Sequence, residues 1–243
     1  MKNDKHVLSI DAGNTSIKVG WFINGQLNSV NRFSSINLTE IENWLEKHSN
    51  YEVILSSVLS ENATEKLVLL LKNCLLVTTE TDLPIKLDYK TKVTLGIDRI
   101  CNAVYAHSHS KTKQAVTIDI GTCVKFDLID SSGLYLGGSI SPGIDLRYKA
   151  LNDYTGKLPL LSNKSAIHLV GTSTDSCIHS GVINGLRGEL YTMMNEYRDL
   201  FPSLTFFMTG GDASSFELVS KNDIFADENL TLSGLYEIYK HNA

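Results

Sequence analysis

Two short strings repeat each other across half of this chain, and the repeat constrains its fold more than any other feature. Residues 11–15 read DAGNT and residues 119–123 read DIGTC, 108 positions apart in a chain of 243 residues. An apolar run precedes each string, and a turn glycine follows at Gly25 and Gly133. Each copy predicts a buried strand, a tight Asp-x-Gly turn, a second strand, a hairpin turn and a third strand. We therefore expect a duplicated domain.

The residue types of the two turns suit a phosphate chain and a cation. Glycine lets the backbone approach an anion, and the hydroxyls of Thr15 and Thr122 can donate hydrogen bonds to phosphate oxygens together with nearby N–H groups. The carboxylates of Asp11 and Asp119 imply an intervening cation, most simply magnesium held largely through water. One Asp-x-Gly string alone would be an ordinary hairpin turn. Two at matched positions predict a clamp in which the turns face each other across a cleft.

Composition and missing motifs exclude several other classes of protein. A net charge of −5 disfavours a nucleic-acid partner, and the sequence lacks an apolar run of about 18 residues that could span a membrane. The four cysteines are widely spaced, so they indicate neither a zinc site nor a disulfide framework. Walker A and Rossmann glycine motifs are absent. Without a signal-peptide pattern at the start, we expect a cytoplasmic protein.

The first half of the sequence has the element order βββαβαβ, which suits an α/β fold with mixed sheets. Asn37 is the predicted N-cap of a first helix, a second helix is predicted from Asn62 to Leu71, and strands are predicted over residues 52–58 and 75–78. The order recurs in outline after residue 113. We place the boundary between the halves in the polar stretch 108–114.

A short string before the next helix carries candidate catalytic groups. Asp98 stands at a predicted helix start, where an acidic side chain ordinarily caps the helix or opposes its dipole. The same Asp98, followed by Arg99 and preceded by Gly96, would also suit a site that grips a carboxylate, because the guanidinium fork binds it through two hydrogen bonds. Both interpretations stay open on these residues alone.

Three glycine-rich segments are further candidates for contact with a ligand. Residues 136–143 are predicted to join a strand to a helix, as a close approach to a ligand or as a plain turn. Residues 174–198 predict a long helix with Gly181, Gly185 and Gly188 on one strip. A sheet, a helix or a nucleotide would pack closely against that strip. Residues 204–212 predict a strand ending in Thr-Gly-Gly, which would contact adenosine or form a tight turn.

Taken together and in this order, these strings resemble the type III pantothenate kinase family over residues 7 to about 235. The family belongs to the acetate and sugar kinase, heat-shock cognate and actin superfamily. The resemblance implies an α/β fold of duplicated ribonuclease-H-like, actin-like ATPase domains with mixed sheets, here residues 1–112 and 113–243. It also implies a homodimer with the acceptor pocket at the subunit interface.

The resemblance assigns roles to individual residues. Asp98 would be the general base, Asp11 would lie near Mg²⁺, and Asp119 would hold a monovalent cation, K⁺ or NH₄⁺. ATP would be bound by Asp11, Ala12, Gly13, Asn14, Thr15, Ser16, Ile17, Lys18, Thr122, Gly210 and Gly211. Pantothenate would be bound by Tyr89, Gly96, Ile97, Asp98, Arg99 and Thr174.

The implied activity is the ATP-dependent phosphorylation of the primary hydroxyl of pantothenate to 4′-phosphopantothenate, the first step of coenzyme A biosynthesis. The alternative is a non-enzymatic nucleotide-binding regulator of the Bvg accessory factor type. The sequence departs from the family pattern at Lys92, where proline is usual, at Lys125, where threonine is usual, and in the loose match of residues 171–174. Lys125 would bring a cation near the phosphate strand, to assist or to interfere.

Overall fold

A computed structural model describes residues 5–14, 16–34, 37–162, 168–216 and 224–243. Thr15, one of the predicted phosphate-binding residues, lies outside them. The strands are β1 (His6–Ala12), β2 (Ser16–Ile23), β3 (Gln26–Ser34), β4 (Glu52–Ser57), β5 (Cys74–Leu76), β6 (Lys86–Leu87), β7 (Ala115–Ile120), β8 (Cys123–Ile129), β9 (Leu134–Pro142), β10 (Thr205–Thr209) and β11 (Ile224–Ala226). The α-helices are α1 (Thr39–Leu45), α2 (Glu61–Leu71), α3 (Ile97–His109), α4 (Ile144–Asp153), α5 (Thr174–Leu200) and α6 (Leu230–Asn242).

The chain divides into two compact units. The first comprises Met1–His109, Ile129–Leu136 and Asn229–Ala243, and the second comprises Ser110–Leu128 and Gly137–Glu228. The C-terminal helix α6 thus belongs with the N-terminal half of the sequence. The predicted domains 1–112 and 113–243 stay a prediction.

The first unit is built on a mixed sheet with the strand order β3-β2-β1-β4-β5. The central strand β1 pairs antiparallel with β2 and parallel with β4. Its alternate residues Leu8, Ile10 and Ala12 are buried in one core with residues of α1 and α2. Helices α3 and α6 pack against each other in the same unit. Strand β1 has a neighbouring strand on each side and holds Asp11 near its end.

The second unit contains the strand order β11-β10-β7-β8-β9. Strand β10 is parallel to both β7 and β11. Alternate residues of β7 and β8, including Ile118 and Phe126, enter a core with Leu186 and Leu190 of α5. Because side chains alternate along a strand, Asp119 and Lys125 lie on the other face of this sheet. Strand β6 pairs parallel with the first residues of β9, a pairing that lies within the first unit.

The predicted fold class is confirmed, and so is the three-strand order of each copy. Strands β1-β2-β3 turn at Asn24-Gly25, and strands β7-β8-β9 turn at residues 130–133. Gly25 and Gly133 have positive φ angles of 91° and 80°, which glycine adopts without strain. The copies diverge afterwards, because α4 and α5 follow β9 and the described residues between them, 154–162 and 168–173, form no strand.

Two predicted helix starts are wrong by one or two residues. The N-cap of α1 is Leu38, and the Asn37 side chain instead accepts a hydrogen bond from the backbone N–H of Thr39 at 3.0 Å. Helix α2 begins at Glu61, because the Ser60 side chain caps it by accepting from the N–H of Ala63. Helix ends depend on such local hydrogen bonds, which periodicity does not resolve.

Two of the glycine-rich segments also differ from prediction. Residues 136–142 are strand β9 itself, and only Gly143 joins it to α4. The long helix α5 is confirmed, but outside its own backbone no atom of the described residues lies within 4 Å of a Cβ placed at Gly181, Gly185 or Gly188. The close packing predicted for that strip is therefore not found in the described part of the chain.

In the described ranges, no helix combines the length and the apolar character that crossing a bilayer requires.

Gly234 offers a test of how α3 and α6 pack. A Cβ at this position would collide with the carbonyl oxygen of Cys101, a backbone atom that cannot move aside cheaply. We expect Gly234→Ala to lower the free energy of unfolding by about 1–3 kcal/mol through overpacking. Gly188→Ala on α5, where the added methyl meets open space, should raise it by up to about 1 kcal/mol through helix propensity. Urea unfolding of both variants makes the comparison, and equal effects would contradict the close contact.

Candidate active site

The first Asp-x-Gly turn fixes the Asp11 carboxylate through the strand next to it. Asp11 lies opposite Ser56 in the parallel pairing of β1 with β4, and the Ser56 hydroxyl donates a hydrogen bond to Asp11 Oδ1 at 2.8 Å. Gly13 N–H donates to the carbonyl of Ser16 at 3.1 Å and closes the turn. Sequence reasoning missed Ser56, because only the strand register brings a residue 45 positions away to the turn.

The start of α3 holds Asp98 in a defined position. Asp98 Oδ1 accepts a hydrogen bond from the backbone N–H of Arg99 at 2.9 Å. A Cβ at Gly96 would collide with that same oxygen, so a glycine is needed there for the carboxylate to take this place. Asp98 is half-buried at the first turn of α3, a position that suits a helix start and a reactive carboxylate equally well.

Arg99 is a buried cation next to an aromatic pair. Arg99 is only 5% exposed, and its guanidinium carbon lies 5.9 Å from the centre of the Tyr89 ring. Tyr89 in turn packs edge-on against the fully buried Tyr135 at 5.9 Å. A guanidinium shielded from water in this way can bind a carboxylate more strongly than one in bulk solvent.

The thiol of Cys101 connects the two carboxylates of the first unit. Burial raises the pKa of the Cys101 thiol well above its ordinary 9.0, and the charges of Asp11 and Asp98 raise it further. Both carboxylates therefore lie within electrostatic range of one buried side chain, although they are far apart in sequence. Sequence reasoning missed Cys101 as a neighbour of the site. Its spacing of three residues from Asp98 on α3 was the available signal.

In the second unit, three of the predicted strings meet at one turn. Gly121 N–H donates to the carbonyl of Cys123 at 3.1 Å and closes the β7-β8 turn. Gly143 N–H donates to the carbonyl of Thr122, and Asp212 N–H donates to the carbonyl of Ile120, each at 3.0 Å.

Glycines make these close approaches possible. A Cβ at Gly143 would collide with backbone atoms of Gly121 and Thr122. Gly210 has a φ of 100°, and a Cβ there would collide with the backbone of Ile120. The segment after β9 and the segment after β10 are thus packed directly on the turn of the second Asp-x-Gly string.

Asp119 in this turn forms a short ion pair with Lys125. The Lys125 ammonium lies 2.7 Å from Asp119 Oδ2, with the two side chains 18% and 17% exposed. The hydrogen bond from Gly121 to Cys123 sets the hairpin register that puts Lys125 directly opposite Asp119. Lys18 stands in the same relation to Asp11 in the first copy.

Two further acidic residues lie close together near the second turn. Burial raises the pKa of the Asp212 carboxyl above its ordinary 3.8, and the charge of Asp145 in the first turn of α4 raises it further. On the same helix, Arg147 pairs with Glu189 of α5, which also accepts a hydrogen bond from Ser141. These contacts fix α4 relative to the end of β9.

The remaining predicted residues have simpler surroundings. Thr122 and Gly211 are exposed, and so is Thr174, the first residue of α5. Lys92 begins an exposed 3₁₀ turn, Lys92–Thr94. In the loosely matching segment 171–174, Ser173 and Ser176 cap α5 reciprocally. The ligand-binding roles of these residues stay predictions.

A magnesium ion suits the carboxylate that the first turn offers. Among the described residues, no three histidine, cysteine or acidic side chains form a group that could hold a metal ion. Mg²⁺ does not need such a cage, because it commonly binds one or two carboxylates and completes its shell with water and substrate phosphates. Asp11, half-buried at a turn with one oxygen held by a neutral hydroxyl, fits that arrangement.

Two solved structures share the fold of this chain. A structure described as an N-acetylmannosamine kinase from Listeria monocytogenes matches 98% of this chain and 100% of its own, with a TM-score of 0.57 and 12% identity. A Baf family transcriptional activator from Campylobacter jejuni matches 97% of this chain and 98% of its own, with a TM-score of 0.65 and 22% identity. The fold is that of the actin-like ATPases and sugar kinases.

Sequence comparison then narrows the class to a family. The family model for type III pantothenate kinase matches residues 7–196. A type III pantothenate kinase of Phocaeicola vulgatus is 38% identical over 237 residues, which cover 97% of this chain and 98% of the relative. The chain belongs to the type III pantothenate kinase family.

The position of Cys101 can be tested through the pH dependence of stability. Because the folded protein keeps this thiol protonated above pH 9, where the unfolded chain ionises it, the unfolded state binds fewer protons and stability falls as pH rises. Cys101→Ala removes this loss. We expect the gap in unfolding free energy between wild type and this variant to shrink above pH 9 by about 1.4 kcal/mol per pH unit. A gap independent of pH, as we expect for Cys177→Ala at an exposed position, would contradict it.

Proposed function

We propose that the protein transfers the γ-phosphoryl group of ATP to the primary hydroxyl of pantothenate, giving 4′-phosphopantothenate in the first step of coenzyme A biosynthesis. Membership in the family, with a relative 38% identical over nearly the full length of both chains, supports the activity. Family membership also implies that ATP is used with a divalent metal. The chemistry asks the protein mainly for positioning and neutralisation of charge.

The phosphate-binding groups come from both Asp-x-Gly turns. Residues 11–18 supply the first loop, with Asp11 receiving Mg²⁺, and Thr122 supplies a hydroxyl from the second turn. Gly210 and Gly211 are proposed to contact the adenosine end, and a Cβ placed at Gly211 would meet open space. Bound Mg²⁺ would neutralise charge on the phosphate oxygens. The monovalent cation that the resemblance implies for Asp119, K⁺ or NH₄⁺, stays a prediction.

The acceptor is proposed to bind through its carboxylate. Arg99 is buried, and the ring of Tyr89 lies beside its guanidinium group. These surroundings favour an ion pair with the pantothenate carboxylate that is shielded from water. Tyr89, Gly96 and Ile97 would line the same pocket, and Thr174 would add a hydroxyl. A carboxylate bound by two hydrogen bonds orients the rest of the molecule.

Asp98 is proposed to act as general base. Its carboxylate accepts the proton of the primary hydroxyl while the hydroxyl oxygen bonds to the γ-phosphorus. The bond from that phosphorus to the β,γ-bridging oxygen breaks, and ADP leaves with the electron pair. The backbone N–H of Arg99 holds one carboxylate oxygen of Asp98 in place.

The observation that carries this proposal is the arrangement of Asp98 and Arg99 at the start of α3. The Asp98 carboxylate accepts a hydrogen bond from the backbone N–H of Arg99, and the Arg99 guanidinium is buried beside the Tyr89 ring. A helix-capping role for Asp98 would not require a buried arginine beside it.

A homodimer is the proposed assembly, with the acceptor pocket at the subunit interface. Several large apolar side chains of the second unit are exposed in the single chain, among them Ile140 at 58% and Tyr191 at 57%. Exposed apolar side chains of this size are typical of protein interfaces. A cytoplasmic location, without nucleic-acid or membrane partners, stays a prediction.

The alternative of a non-enzymatic nucleotide-binding regulator is not favoured. A nucleotide sensor has no need of a buried arginine beside Tyr89 for an acceptor carboxylate. The two functions separate in one assay, in which the purified protein is incubated with ATP, Mg²⁺ and a panel of small alcohols. We expect ADP release with pantothenate only, and release with none of the alcohols would overturn the proposal.

Replacing Asp98 by asparagine removes the proposed base and keeps the size of the side chain. We expect Asp98→Asn to lower kcat by roughly 10²- to 10⁴-fold, with little change in the binding of ATP and pantothenate. Glu61→Gln, at the first turn of α2 in the same unit, is the matched control for loss of an acidic group at a helix start. If both variants turn over like the wild type, Asp98 is a helix-capping residue.

Replacing Arg99 by lysine keeps the charge but loses the planar fork. We expect Arg99→Lys to raise KM for pantothenate, with KM for ATP nearly unchanged. An acceptor that has an amide in place of the carboxylate should be used about equally poorly by both proteins. Arg187→Lys, at an exposed position on α5, should leave both constants unchanged. A wild-type enzyme that uses the amide as well as pantothenate would rule out the carboxylate clamp.

A further inference from the structure

A positively charged side chain lies on the aspartate of the second Asp-x-Gly turn. The Lys125 side chain ends in an ammonium group, and this group lies 2.7 Å from Asp119 Oδ2. Potassium or ammonium is the ion that the family resemblance implies on the same carboxylate. A free ion of that kind does not fit beside Lys125, because two positive charges would then share one carboxylate and repel each other.

The contact is built into the backbone. Asp119 is the penultimate residue of β7 and Lys125 lies in β8. The turn hydrogen bond from Gly121 to Cys123 places them as cross-strand neighbours. Both side chains are more than four-fifths shielded from solvent, so water and salt screen the pair much less than a surface pair. The Lys125 ammonium therefore lies next to Asp119 in a weakly screened position.

The first copy of the repeat has the same cross-strand arrangement, with Lys18 opposite Asp11. There Asp11 also accepts a hydrogen bond from Ser56, a hydroxyl on the parallel neighbour β4. In the second copy the Lys125 ammonium itself lies on the Asp119 carboxylate.

We propose that the Lys125 ammonium replaces the free monovalent cation at Asp119, so that this protein binds and uses ATP independently of K⁺ and NH₄⁺. The inference rests on the proposed function for the identity of the nucleotide. The family pattern has a neutral threonine at position 125 and a bound ion at Asp119, and this chain has one lysine instead. The local charge is the same in both arrangements. The lysine also removes the entropic cost of capturing an ion from solution, because the ammonium is tethered to the chain.

Equilibrium binding of ATP tests the proposal without depending on turnover. Binding of a non-hydrolysable ATP analogue with Mg²⁺ is measured by calorimetry in potassium, ammonium or choline chloride at equal ionic strength. We expect the wild-type Kd to be the same in all three salts within about twofold. A wild-type Kd at least about tenfold weaker in choline than in potassium would overturn the proposal, and this arm needs no variant to fold.

Variants at Lys125 then separate charge from packing. Lys125→Thr should bind the analogue about tenfold or more weakly in choline, and potassium should restore binding, because the variant reopens the ion position. Lys125→Arg, which keeps the charge, should stay insensitive to the salt. Lys149→Thr is the matched control, since Lys149 pairs with Asp153 at the same 2.7 Å on an exposed surface of α4, and it should behave as wild type. The proposal would be overturned by a Lys125→Thr protein that thermal denaturation shows to be folded and that binds the ATP analogue in choline as tightly as the wild type does.

Turnover in the same salts distinguishes this inference from the function on which it rests. Salt-independent binding of the ATP analogue together with pantothenate phosphorylation supports both. Salt-independent binding without phosphorylation of pantothenate upholds the role of Lys125 and overturns the proposed acceptor. Phosphorylation that rises strongly with potassium upholds the proposed function and overturns the role of Lys125.

Discussion

In both sheets, a strand flanked by strands on either side has an aspartate as its penultimate residue, and a neighbouring strand meets the charge of that aspartate. Asp11 and Asp119 stand at equivalent ends of β1 and β7, where backbone hydrogen bonds and packing leave little freedom to move. Charge in such a position is expensive unless it is hydrogen-bonded or paired. The Ser56 hydroxyl meets Asp11 in one copy, and the Lys125 ammonium meets Asp119 in the other. These contacts hold each carboxylate in place.

Glycine makes the rest of the second turn possible. Gly143 and Gly210 bring two other segments so close to residues 120–122 that a side chain at either position would strike backbone. In the first unit, a Cβ at Gly96 would strike the Asp98 carboxylate. Close approach of bare backbone thus defines the surroundings of the second turn and of Asp98, and a methyl group at any of these three positions would disturb a candidate functional group. This is why the glycines of the sequence strings cluster around the aspartates.

Much of the fold and several features of the site follow from patterns that are local in sequence. Alternating apolar residues predicted the hairpins, since period-two burial is a property of a strand and its neighbours. Helix ends were less accurate, because Ser60 and Leu38 are selected by hydrogen bonds that a periodic pattern does not contain. The divergence of the second copy after β9 had no clear signal. The sequence predicted a connection over residues 136–142 because glycines, which are unusual inside strands, interrupt the strand pattern there.

The sequence by itself determined the duplicated Asp-x-Gly turns, the family and the positions of Asp98 and Arg99 at a helix start, because each is carried by residues adjacent in the chain. Only the tertiary structure decided which groups meet them. The register of β1 with β4 brought Ser56 to Asp11, and the packing of α3 brought Cys101 within electrostatic range of Asp11. The sequence flagged Lys125 as unusual but left its effect open. Its contact with Asp119 follows from the length of one hairpin turn, since a shift of one residue would point the ammonium to the other face of the sheet.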